Sequence, residues 1–99
     1  MFEQAVDVIA LCTASGELSP LRLRLEDREQ GTLRFVIDRV ISKSRIDCIG
    51  AEGTMFRCRA TMGGRQWTVE LRYCRRSQMW LLTRLSAGTD CNFGAAVLC

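Results

Sequence analysis

Apolar and polar side chains alternate along Met55–Tyr73, MFRCRATMGGRQWTVELRY. A period of two places each set on one face of a β-strand. Gly63 and Gly64 lie at the centre of the stretch. Adjacent glycines supply the positive φ that both central positions of a type I′ turn require. A two-residue turn there sets the pairing. Ala60 faces Trp67, Cys58 faces Val69 and Phe56 faces Leu71 on one side. Arg59 meets Thr68 and Arg57 meets Glu70 on the other. A slip of one residue would bring arginines opposite the indole, so glycines and alternation agree on one register.

The polar stretch Arg75-Arg76-Ser77-Gln78 predicts a second hairpin. Cys74 would pair with Met79, Tyr73 with Trp80, Leu71 with Leu82, and Glu70 with Thr83. The result is a three-strand meander over roughly 55–62, 65–74 and 79–85.

Earlier in the chain, AVDVIALCT (Ala5–Thr13) reads as a strand or a short helix. The turn signal Ala14-Ser15-Gly16-Glu17 and the extended segment that follows favour a strand. Pro20 suits the start of a strand, and Leu21–Leu25, LRLRL, alternates strictly. EDREQG (Glu26–Gly31) is a polar loop. TLRFVIDRVI (Thr32–Ile41) changes phase near Asp38–Val40, which predicts a β-bulge. Ser42–Asp47 is polar and is expected to be a loop carrying Lys43 and Arg45. Gly50 and Gly53 mark a tight connection into the main hairpin.

These segments predict an all-β fold of about six short antiparallel strands. One-sided alternation needs its apolar face covered. The expected solution is a small SH3-like or OB-like barrel or roll ending in the 55–85 meander. Residues 1–85 form the single domain. Residues 86–99 are a tail, either loose or capping the barrel with Phe93 and Ala95–Leu98. The expected core is Leu21, Leu23, Leu25, Leu33, Phe35, Ile37, Phe56, Cys58, Trp67, Val69, Leu71, Trp80 and Leu82.

Composition adds little to the fold and more to the function. The chain has 99 residues, 47% apolar and 25% charged, enough for one core. No apolar run is long enough for a membrane helix. The N-terminus lacks a signal peptide pattern, so a cytoplasmic location is expected. Six cysteines stand at 12, 48, 58, 74, 91 and 99, with no Cys-x-x-Cys and no histidine. That spacing argues against a metal site. Cys12, Cys48 and Cys58 read as small buried hydrophobes, and Cys91 and Cys99 as exposed. Without histidine, the usual base for a serine or cysteine nucleophile is missing. Glu26, Asp27 and Glu29, interleaved with Arg28, read as a solvated loop. No enzyme activity and no cofactor are expected.

Two functional classes remain. In the predicted register Arg22, Arg24, Arg57, Arg59 and Arg72 point outward, with Arg75 and Arg76 in the adjoining turn. Such a face could track nucleic-acid phosphates. However, the aromatics Phe35, Phe56, Trp67, Tyr73 and Trp80 all point inward, away from any stacking role. The other class is a protein-interaction or self-assembly module, homodimer formation included. MWLLTRL in the last strand is apolar on both sides, with Met79, Leu81 and Leu85 facing away from the core. A meander also exposes strand edges. Protein or self partners are the leading expectation and nucleic acid the alternative, with no membrane and no metal.

Overall fold

A computed structural model describes residues 3–46 and 52–88. The expectations for Cys48, Gly50, Cys91, Cys99 and the body of the tail fall outside the described residues. Six strands follow one another: β1 (Gln4–Cys12), β2 (Leu18–Asp27), β3 (Gly31–Ile46), β4 (Gly53–Met62), β5 (Arg65–Cys74) and β6 (Met79–Ala87). Each pairs antiparallel with the next, and β6 returns to β1 to close a barrel in chain order. Ala5–Cys12 is therefore strand, not helix, and Thr13 opens the turn that follows. The all-β barrel is as expected.

The central hairpin has the register read from its glycines. Phe56 faces Leu71, Arg57 faces Glu70, Cys58 faces Val69, Arg59 faces Thr68 and Ala60 faces Trp67. Gly63 and Gly64 have φ of 63° and 75°, as a type I′ turn demands.

Inside, Leu23, Leu25, Phe35, Phe56, Cys58, Ala60, Val69, Leu71, Trp80 and Leu82 are buried. Burial of each large apolar side chain contributes about 1.5–3 kcal/mol. The inward aromatics touch one another. Phe35 meets Trp67 edge-on at 5.9 Å, and Trp80 lies 5.5 Å from Phe56 and 5.0 Å from Tyr73. The Trp67 indole N–H donates to the Met62 carbonyl at 3.2 Å, so its polar edge is satisfied.

Four bulges curl the sheet. Each is a residue without a partner between two paired neighbours: Leu21 in β2, Asp38 and Ile41 in β3, and Thr83 in β6. A bulge bends its strand and increases its twist. It also shifts the alternation by one residue, and this produces the departures from expectation. Leu21, expected in the core, is exposed because Pro20 and Leu23 take the inward positions on either side of it. Glu70 faces Arg84 rather than Thr83, whose hydroxyl instead donates to the Glu70 carbonyl at 3.3 Å. Leu85 then falls opposite Val69 and packs on the core instead of facing away from it. Cys12 is exposed, since β1 runs past the end of the core. Residues 42–46, expected as loop, continue β3, so Lys43 and Arg45 are strand residues paired with Phe56 and Thr54.

Two backbone positions give opposite predictions for stability. A Cβ at Gly53 would stand 2.0 Å from the Tyr73 carbonyl oxygen. Gly53→Ala should therefore cost about 1–3 kcal/mol or more in urea unfolding. Gln78 holds φ of 59° at the end of the β5–β6 turn, a conformation that disfavours side chains with a Cβ. Gln78→Gly should raise stability by up to about 1 kcal/mol in the same measurement.

Candidate interaction surface

On a closed barrel the outward side chains form cross-strand rows around a cylinder. One row runs Asp7, Arg24, Arg34. The next runs Ile9, Arg22, Val36, Thr61, Gln66. These two rows line a groove of about 500 Å³ across β1, β2 and β3. Ile9 is 63% and Val36 49% exposed, so along the groove one row is wholly charged and the other sets two apolar side chains on either side of Arg22. Beyond it Leu11 and Leu21 are also exposed.

The arginines expected to share one face do not. In a ring of six strands, β2 and β5 lie on opposite sides. Closure therefore separates Arg22 and Arg24 from Arg72 and from the exposed turn arginines Arg75 and Arg76. Several of the group are also neutralised. Arg24 donates to Asp7, with which it forms an ion pair. That hydrogen bond, and then the charge of Asp7, hold Arg24 above its ordinary pKa. Arg72 reaches Glu3 at 3.1 Å and Arg57 reaches Glu70 at 4.0 Å. Exposed ion pairs of this kind contribute little to stability, yet they cancel charge that phosphates would need.

The proposed interaction strand is placed differently from the expectation too. β6 pairs with β5 along its length and with β1 through Gln4–Leu82, Ala5–Leu81 and Val6–Trp80. Met79 is exposed, Leu81 half-buried between Arg72 and Ala5 on the outer wall, and Leu85 turned inward. The free backbone lies on the other side of that seam. Beyond Val6, β1 pairs only with β2 among the described residues. Its open edge, Asp7–Cys12, is DVIALC, with no proline and a single charge, Asp7, at the end nearest the seam. β3 has a second open edge, because its pairing with β2 ends at Val36. That edge carries Asp38, Arg39, Lys43 and Arg45, the charged protection natural edges use.

Elsewhere, acidic side chains bond to nearby groups of the β2–β3 hairpin. Asp27 accepts the amides of Glu29 and Gln30 and so shapes the β2–β3 turn. Glu26 accepts the Thr32 hydroxyl. Among the described residues no group of three or more Cys, Asp or Glu side chains could hold a metal ion, and no helix is long and apolar enough to cross a membrane. Cys12, Cys58 and Cys74 are free thiols.

Cys58 lies fully inside, and burial pushes its thiol from 9.0 up to about 12. Below pH 9 both folded and unfolded chains keep this proton. Between pH 9 and about 12 the unfolded chain has lost it and the folded chain has not, so stability falls as pH rises. At most this amounts to about 1.4 kcal/mol per pH unit. Urea unfolding at pH 8 to 10.5 should show a steeper decline for the native chain than for Cys58→Ala. Parallel declines would contradict this assignment.

Comparison with known protein families, with curated proteins and with solved structures finds no match to this chain.

Proposed function

We propose that this barrel is a non-catalytic protein-interaction or self-assembly module of the cytoplasm. Its docking element is the open edge of β1, with the adjoining groove. The observation that carries the reading is the open edge of Asp7–Cys12, which pairs with β2 alone among the described residues and carries the exposed side chains of Ile9 and Leu11. Unpaired strand edges recruit extended segments of other chains. Their backbone groups supply affinity, and pockets for alternate side chains supply selectivity. Ile9 sits at the groove and Leu11 two residues on, on the same outer side, which is the spacing such a strand would read. Free thiols accord with a reducing compartment. A nucleic-acid role through Arg22, Arg24, Arg57, Arg59, Arg72, Arg75 and Arg76 has less support, because closure disperses them and carboxylates engage three.

The test combines light scattering with selection from a library of displayed extended peptides. The native chain should either form a dimer or select strand-forming peptides. Ile9→Lys with Leu11→Lys should weaken that association at least tenfold while leaving the thermal midpoint within a few degrees. A monomer that selects nothing sensitive to these substitutions would overturn the reading.

A further inference from the structure

We propose that Arg39 and Arg59 together form a binding site for a phosphate-type oxyanion. The proposal is independent of the β1 edge, since β1 and β4 lie on opposite sides of the ring. Arg39 and Arg59 are direct partners across the β3–β4 ladder. Outward side chains so placed have Cβ atoms about 4.5–5.5 Å apart, and like charges there repel.

Elsewhere on the wall carboxylates relieve such repulsion. Asp7 engages Arg24, which faces Arg34. Glu70 stands between Arg57 and Arg84 in their row. Glu3 engages Arg72. The row of Arg39 and Arg59 continues instead to Thr68 and Ser86. Thr68 donates its hydroxyl to the Gly88 carbonyl at 3.2 Å. The neighbouring acid, Asp38, receives the Thr61 hydroxyl at 2.6 Å. Neither arginine has a carboxylate partner among the described residues.

Arg59 carries a second sign. Its Nε is buried with no hydrogen-bond acceptor, as is that of Arg72, but Arg72 has Glu3 at its Nη2 and Arg59 has no carboxylate among the described residues. A buried charged donor without an acceptor is unfavourable, and such groups in native proteins call for an explanation such as a bound ion. The buried Nε also restrains the guanidinium of this half-buried residue, so less order is lost when a ligand arrives. Two guanidinium forks on adjacent strands suit an anion with several acceptor oxygens. A phosphate group brings close to two charges and three free oxygens. A carboxylate brings one charge and two oxygens, and leaves one arginine uncompensated.

The experiment titrates the full chain with sodium phosphate at constant ionic strength, following the arginine Nε–H signals by NMR. The expected result is a saturable shift of the Arg39 and Arg59 signals that sodium acetate does not reproduce. Arg39→Gln should weaken binding at least tenfold, and Arg34→Gln should change it less than twofold. Arg59→Gln should match Arg39→Gln; if it fails to fold, the exposed Arg39 decides alone. A parallel titration with phenyl phosphate identifies the source. Tighter binding than inorganic phosphate supports the site and points to an ester, and equal binding supports it and points to the free ion. No saturable shift, an equal response to acetate, or an equal loss in Arg34→Gln would overturn the proposal.

Discussion

A ribbon of six strands that is apolar on one side has to bury that side against itself. No helix among the described residues covers it, so the sheet must bend through a full turn. The four bulges make this possible. Each adds a residue to the outer wall without a counterpart on the neighbouring strand, so the wall becomes longer than the lining. The lining then fits around a core built from Phe35, Phe56, Leu71, Trp80 and Leu82. Three residue pairs between β1 and β6 complete the circle.

The same bending creates the surface. Leu21 and Ile41 are exposed because they are bulge residues, not because an apolar face was left bare. Closure at only Gln4–Val6 leaves the rest of β1 without a second neighbour among the described strands. β3 outruns its pairing with β2 in a similar way, but there the edge is charged. Of the two openings, the one on β1 carries the exposed Ile9 and Leu11, and it is the one proposed as the docking edge.

Charge on the outer wall sorts by neighbours rather than by number. Asp7 and Glu3 each bind an arginine far along the chain, Arg24 and Arg72. Nothing in the local sequence around those arginines announces such partners. The net charge of +3 therefore describes the chain and not a patch. Arg39 and Arg59 stand out only once the β3–β4 register is known. One lies just after a bulge, and bulges are where alternation stops reporting orientation.

The hairpin from Phe56 to Leu71, the inward aromatics and the all-β class were determined by the sequence alone. Their causes are local: paired glycines accept positive φ, and a period of two assigns faces. The β3 phase change was legible for the same reason. Which residue each bulge displaces, as with Leu21 and Leu85, was decided by the fit of all six strands around one core. So were the extension of β3 through Lys43 and Arg45, the carboxylate chosen by each arginine, and the free edge of β1. These depend on distances between residues far apart in the chain, and only closure of the barrel sets those distances.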